Sequence, residues 1–213
     1  LAGGGTLLAQ AVYDSAEHDF GAPIRTVLGT DQSIARRQRL QIVLGQRLEF
    51  EPRSRADLDF IFAPAQAGPA RLLRPQLRFQ YAGNVPVYAT SDAYATDGGV
   101  ANQDLEGLII PAMPWIVPNS GAAAALRATL ATETGDSALW QSGLYAFGYD
   151  ACQIALAIAA AGHDAQRVHV AGLTGDLSLS ADGRVHREPA WARIAHNGEP
   201  QFLTGVVPAG GGN

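Results

Sequence analysis

The sequence contains no lysine, because all 15 of its basic residues are arginines. Several reaction classes depend on a lysine amine. A P-loop uses it to reach nucleotide phosphates, a protein kinase uses it on a strand beside ATP, and pyridoxal-phosphate enzymes and Schiff-base aldolases use it as a nucleophile. The chain therefore cannot complete any of these sites from its own residues.

The sequence also has a single cysteine, a negative net charge and no long apolar run. The single cysteine, Cys152, excludes an internal disulfide and a cysteine-rich zinc or iron–sulfur site. A net charge of −5 gives no basic field for phosphate backbones, so nucleic acid is not expected as a partner. The best apolar run, residues 151–162, is shorter than the roughly 18 to 20 residues that span a bilayer. The 213 residues suffice for one or two modest cores.

Strand-like and helix-like patterns alternate along the chain. A loop is predicted around Pro23 and Gly29, and an N-cap at Thr30 or Asp31. Strands are predicted at 6–14, 57–65, 85–94 and 105–117, the last broken by Pro111 and Pro114, and helices at 33–46, 67–83 and, in two or three pieces, 120–162. This order predicts an α/β fold with an open, mostly parallel sheet flanked by helices.

The last part of the sequence has a different pattern. Residues 172–203 alternate apolar and polar side chains, with an Asp182-Gly183 turn and a second turn at Asn197-Gly198. Such turns favour two-residue hairpin loops, so an appended antiparallel β-hairpin element is expected. The chain begins at Leu1 with a glycine run that is typical of a helix C-terminus, and we expect it to be a fragment or a processed form.

Catalytic motifs are absent from the sequence: there is no G-x-S-x-G, H-E-x-x-H or G-x-G-x-x-G. The five histidines never fall four residues apart on a helix, which disfavours a metal site. Asp57 and Asp59 resemble a general acid/base pair, but they lie where a strand begins. Pairing with Arg53 or Arg55, or simple solvation, explains them better, because active groups of open parallel sheets lie at the carboxyl ends of strands.

Three strand ends are expected to share the carboxyl edge of the sheet, where a ligand or partner would bind. They are residues 63–66, 90–94 and 112–115. Trp115 has two possible roles, in a pocket or interface or as a cap on the core. The cluster of Leu144, Tyr145, Phe147 and Tyr149 has helical spacing and is predicted to be core. The candidate cleft-lining residues are Ala63, Gln66, Thr90, Ser91, Asp92, Tyr94, Pro114 and Trp115.

Several segments in order resemble the C-terminal domain of the LppC/LpoA lipoproteins, which activate class A penicillin-binding proteins. The most specific are the DLDFIF strand, the helix ARLLRPQLRF, the strand PVYATS and the MPW end of the next strand. YAFGYDACQIALAIAAAG and GLTGDLSLSADGRV are shared with the wider superfamily of type I periplasmic binding proteins. The resemblance covers residues 50–205.

The resemblance implies a two-lobed, type I periplasmic-binding-protein-like fold of which this chain lacks most of lobe one. Residues 1–140 would be most of lobe two, and residues 141–213 a crossing helix and a hairpin segment returning toward lobe one. It also implies a non-catalytic regulator without cofactor or metal, located in the periplasm and tied to the outer membrane through a lipid anchor outside this chain. The implied partner is a class A penicillin-binding protein, whose peptidoglycan synthesis the regulator stimulates.

A periplasmic receptor for a small ligand such as an amino acid remains the alternative function. A receptor needs charged groups in its cleft to neutralise the ammonium and carboxylate of the ligand. Among the three strand ends only Asp92 carries a charge, which weakens this alternative. A small ligand in a cleft between the lobes is left open, and a hydrolase is disfavoured because no nucleophile–base pair is found.

Overall fold

The computed structural model describes residues 4–47, 49, 54–134 and 143–203. These residues form two compact units, which we call unit one, up to Tyr94, and unit two, from Ala95 onward. The predicted lobe boundary near residue 140 lies outside the described residues. The assignment of residues 1–140 and 141–213 to two lobes therefore stays a prediction.

Unit one combines helices with a pair of short parallel strands. In the pair, Ile61 is opposite Val87 and Phe62 is opposite Tyr88, so the predicted parallel pairing is confirmed. Pro75 lies inside the third helix, where it cannot donate the helical hydrogen bond, and a π-helical segment follows the helix. The elements are α1 (Gly21–Leu28), α2 (Thr30–Leu44), β1 (Ile61–Phe62), α3 (Ala67–Leu77), the π-helical segment Arg78–Ala82, β2 (Val87–Tyr88) and the 3-10 turn Ser91–Ala93.

Helix α1 occupies the place of the predicted loop around Pro23 and Gly29, so that prediction is wrong. The Asp19 carboxylate accepts a hydrogen bond from the N–H of Gly21 at 2.8 Å, and Pro23 lies in the first turn, where its missing N–H costs nothing. Gly29 ends the helix with φ +67°, a left-handed conformation that favours glycine. These residues therefore make a complete short helix.

The predicted strand at residues 6–14 is also wrong, because this segment forms no ladder with any described strand. An isolated strand leaves its backbone groups unpaired and is not stable alone. The segment is attached instead through Tyr13, whose hydroxyl donates a hydrogen bond to the carbonyl oxygen of Pro64 and whose ring meets Phe20 edge to face.

Unit two contains two longer helices and two groups of antiparallel strands, in accord with the α/β fold class. The long helical region predicted at 120–162 is present as two helices, and residues 135–142 between them lie outside the described part. The helices are α4 (Ala122–Thr134) and α5 (Gly143–Ala161), with 3-10 segments Gly99–Leu105, Pro114–Ile116 and Gly162–Arg167. The strands are β3 (Leu108–Ala112), β4 (His169–Ala171), β5 (Asp176–Leu179), β6 (Val185–Glu188), β7 (Ala190–Ile194) and β8 (Pro200–Phe202).

The antiparallel pairings confirm the predicted hairpins. Strands β5 and β6 pair around Gly183, and β7 and β8 pair around Gly198, with φ +79° and +82° at the two glycines. Strand β4 adds to β5, and β3 pairs with β7. Pro111 does not break β3 as predicted. It lies within the strand, opposite Trp191, and the chain leaves the sheet only near Pro114.

Helix α5 is longer than the predicted apolar run. By its 19 residues and its mean hydropathy of 1.4 it could cross a membrane, a criterion that core helices of globular proteins also meet. Ile154 packs with Val168 and Leu177 in a core cluster of unit two. Leu144 is 79% exposed and Phe147 is 41% exposed, so the predicted aromatic core cluster is wrong except for Tyr145.

Candidate functional site

The ends of β1 and β2 lie side by side in unit one. Because the strands are parallel and in register, the N–H of Ala63 donates to the carbonyl oxygen of Tyr88 at 2.8 Å just beyond the ladder. Gln66 then precedes α3, and Thr90 precedes the 3-10 turn Ser91–Ala93. Two of the three predicted strand ends therefore share one edge, and their role in binding stays a prediction.

The accessible side chains at this edge are polar. Gln66, Ser91 and Asp92 are exposed, and Thr90 and Tyr94 are partly buried. Ala63 is 8% exposed, because successive residues of a strand point to opposite faces and Ala63 shares the buried face of Ile61. Its predicted place in the cleft stays a prediction.

A small apolar pocket of about 130 Å³ adjoins the end of β1. Tyr13 borders it, and the partial burial of this side chain raises the pKa of the phenol. None of the lining residues carries a charge, so the pocket suits an apolar group and not an amino-acid zwitterion. Its lining residues are Ala11, Tyr13, Pro23, Ile24, Val27, Ile61, Phe62, Ala63, Pro64, Leu73 and Leu77.

Trp115 belongs to the core of unit two, where it is 1% exposed. Its ring stacks on Tyr145 with centroids 5.3 Å apart, and it packs with Ala146 and Leu173. Of the two roles that the sequence left open, the contacts match the core role, and the prediction that Trp115 lines a cleft is wrong. Pro114, its neighbour, is partly buried at the start of the 3-10 turn.

Arg127 of α4 fixes the turn that carries Trp115. Its guanidinium donates hydrogen bonds to the carbonyl oxygens of Trp115, Val117 and Pro118, the latter two at 2.9 and 2.8 Å, and it lies 5.5 Å from the Trp115 ring centroid. Burial lowers the pKa of Arg127, because desolvation disfavours the charged form. Its position favours a structural role, since its donors are directed at the main chain.

Asp150 is a buried carboxylate in the otherwise apolar helix α5, with 3% exposure. One oxygen accepts the N–H of Leu173 at 2.7 Å. The other accepts the N–H and the hydroxyl of Thr174, at 2.8 and 2.6 Å. The carboxylate therefore joins α5 to the turn between β4 and β5, and three donors stabilise its charge in place of water.

Two glycines allow this turn to approach so closely. A Cβ on Gly172 would lie 2.5 Å from the Asp150 Oδ2 atom. Gly175 has φ +139°, and a Cβ there would overlap the carbonyl oxygen of Glu188. The G-x-T-G spacing from Gly172 to Gly175 thus has a physical cause, which is close packing around a carboxylate. Sequence reasoning treated this motif only as a family resemblance, although a lone acid in an apolar helix was a signal that could have identified Asp150.

The remaining titratable groups do not converge on a catalytic arrangement within the described residues. Arg55 binds Asp57 with two hydrogen bonds, of 2.6 and 2.8 Å, which is one of the explanations that the sequence left open, and this hydrogen bonding lowers the pKa of Asp57. His196 lies 3.4 Å from Glu106 at the surface. Among the described residues, no three His, Cys, Asp or Glu side chains are grouped so that they could hold a metal ion.

Comparison with known proteins finds relatives that share one name. Penicillin-binding protein activator LpoA of Vibrio antiquarius (strain Ex25) is 26% identical over 189 residues, which are 85% of this chain and 30% of that protein. The Vibrio cholerae protein of the same name (strain M66-2) is 25% identical over 170 residues, covering 79% of this chain and 28% of that protein. The chain thus spans less than a third of the length of these relatives.

The fold is similar to a solved structure, that of the LpoA (YraM) C-domain from Haemophilus influenzae, a regulator of PBP1A. The TM-score is 0.50 at 19% identity, and the match covers 84% of this chain and 57% of the other. The family model described as LppC putative lipoprotein matches residues 3–197. Because this match takes in nearly all of the described structure, the chain belongs to the LppC family of lipoproteins.

Proposed function

We propose that the chain is part of a non-catalytic periplasmic regulator that binds a class A penicillin-binding protein and stimulates its peptidoglycan synthesis. The observation that carries the proposal is the LppC family match over residues 3–197, together with relatives that bear the name penicillin-binding protein activator. The location, in the periplasm and tied to the outer membrane by a lipid anchor, is part of the same proposal.

The structural role of two charged side chains in unit two supports a regulatory function. Asp150 and Arg127 both bind main-chain atoms and stabilise the fold. A regulator needs only a surface that binds one state of its partner more tightly than another, because that difference in affinity shifts the partner's conformational equilibrium. A shift of about 1.4 kcal/mol changes such an equilibrium tenfold.

The receptor alternative gains no support from the pocket beside β1. An amino acid carries two charges, and burying them without partners is costly. The pocket lining is apolar, with Tyr13 as its main polar side chain. A thermal-shift screen of amino acids and muropeptides tests the alternative, since a ligand that binds the folded state raises the melting temperature in a saturable way. We expect no saturable shift.

A binding assay coupled to an activity assay tests the proposal. The immobilised chain should retain a purified class A penicillin-binding protein at micromolar concentration. When added to that enzyme with lipid-linked substrate, the chain should increase the yield of cross-linked glycan. A class B penicillin-binding protein, which lacks the glycan-polymerising domain, is the matched control and should not be retained. Absence of both retention and stimulation would refute the proposal.

A further inference from the structure

Helix α2 leaves large apolar side chains in solvent. Only Thr30 in this helix is buried, and its half-buried residues are Ser33, Ile34, Ala35, Arg37 and Gln41. On the outer side, Ile42 is 82% and Val43 is 80% exposed. A helix on the surface of a globular protein usually turns its large apolar side chains toward the core, because burying them removes apolar surface from water. Large apolar side chains that are exposed together mark an interaction surface.

The same outer side carries positive charge. Residues 34–47 contain four arginines and no acidic residue, although the whole chain has a net charge of −5. Arg36 and Arg39 are exposed, and neither has a carboxylate partner within the described part of the chain. Arg36, Arg39 and Val43 follow the i, i+3, i+7 spacing of one helix face, and Ile42 lies beside them. We call these four residues the α2 outer face.

The mixture of charged and apolar residues indicates which occupant fits. A helix that lies on a lipid surface separates its charges from its apolar residues, so that one face enters the bilayer and the other stays in water. The α2 outer face instead places arginines among Ile42 and Val43. Interfaces between proteins have this composition, because an arginine packs its stem on apolar atoms while its guanidinium pairs with a carboxylate.

We infer that the α2 outer face is the docking surface for an acidic, partly apolar patch on the class A penicillin-binding protein, an inference that rests on the proposed function. Arg36 and Arg39 supply charge complementarity, which sets orientation and association rate. Ile42 and Val43 supply the apolar area that leaves water on binding. The partner surface must therefore carry carboxylates that are spaced to pair with both arginines. An apolar depression must lie beside those carboxylates.

Variants of the α2 outer face test the inference by biolayer interferometry of the full chain against the purified class A penicillin-binding protein. We expect Arg36→Gln with Arg39→Gln, and separately Ile42→Ser with Val43→Ser, to raise Kd at least about tenfold. Matched controls are Arg167→Gln with Arg193→Gln, which are exposed arginines of unit two, and Val100→Ser, which is 78% exposed. The controls should leave Kd unchanged.

Measurements of folding and of salt dependence show whether a change in Kd comes from the substituted side chains themselves. Exposed substitutions change stability little, and circular dichroism with thermal melting verifies this for each variant. The charge-retaining pair Arg36→Lys with Arg39→Lys should recover most of the lost affinity. Between 50 and 300 mM NaCl, the affinity of the unsubstituted chain should fall more steeply than that of the glutamine pair, because screening acts on the charges that the pair removes.

The outcomes separate this inference from the proposed function. If the unsubstituted chain does not bind the enzyme at all, both fail. If it binds and the folded α2 variants bind equally well, only the inference fails and another surface is the docking site. Loss of binding to phosphatidylglycerol vesicles in the glutamine pair, with unchanged affinity for the enzyme, would overturn the inference in favour of a membrane surface.

Discussion

Replacement of Asp150 by asparagine is expected to destabilise unit two strongly, although the two side chains have almost the same shape. The carboxylate accepts three hydrogen bonds, two from Thr174 and one from Leu173, in a site with 3% exposure. An amide has only one acceptor oxygen. Whichever way it is turned, its NH2 group faces at least one N–H donor, which is left without a partner.

The magnitude follows from this count of donors. A buried donor without a partner costs about 1–3 kcal/mol, and hydrogen bonds to a charged acceptor contribute about 1.5–3 kcal/mol against about 1 for neutral ones. We therefore expect Asp150→Asn to lower the free energy of unfolding by about 2–3 kcal/mol. Asp150→Ala, which orphans all three donors, should lower it by about 3–5 kcal/mol. For a chain of this size, 2–3 kcal/mol corresponds to a fall in Tm of roughly 5–10 °C.

Tryptophan fluorescence during urea unfolding is the assay. Residues 1–94 contain no tryptophan, and Trp115 and Trp191 lie in unit two, so the signal reports on that unit. Asp176→Asn is the matched control, because Asp176 is exposed and the substitution should change stability by less than about 0.5 kcal/mol. If Asp150→Asn unfolds at the same urea concentration as this control, the carboxylate does not hold the turn and the reasoning is refuted.

Three further changes have defined outcomes. Gly175→Ala should lower the free energy of unfolding by about 3 kcal/mol because its Cβ has no room. Gly183→Ala, with φ +79° and open space around the Cβ, should lower it by only about 1–2 kcal/mol; equal midpoints in urea would contradict this. Arg127→Lys should cost about 1–2 kcal/mol by the same measurement, since an ammonium cannot reach three carbonyl oxygens as the planar guanidinium does. Arg55→Gln should raise the pKa of Asp57, followed by NMR titration of its carboxyl carbon, because the Arg55 hydrogen bond lowers it.

The sign of the pH effect at Asp57 follows from the direction of that shift. A carboxyl group whose pKa is lower in the folded state than in the unfolded state stabilises the fold above the unfolded value. That contribution fades as the pH falls through the lowered folded value. Stability of the unsubstituted chain should therefore lose a small increment in acid that the Arg55→Gln variant lacks, and Asp57 is exposed enough that solvent screens the pair.

The sequence alone determined the features that depend on local conformational rules. The two hairpins follow from Asp182-Gly183 and Asn197-Gly198, because a tight turn needs residues that accept positive φ. Helix α3, with Pro69 in its first turn, follows from proline placement, and the parallel pairing of β1 and β2 follows from an apolar run. The Arg55–Asp57 pair was among the alternatives that the sequence offered, because the two residues are two positions apart.

Features that depend on distant partners could not be inferred from local sequence. The burial of Trp115 requires Tyr145 and Leu173, and the turn around Asp150 requires donors 23 and 24 residues away, so no local pattern fixed either. The predicted strand at residues 6–14 failed for the same reason, because strand-like alternation forms a strand only where a neighbour can pair with it. The exposure of Ile42 and Val43 is likewise set by how α2 packs against the rest of unit one. Periodicity places residues on one face of a helix, but packing decides which face is exposed to water.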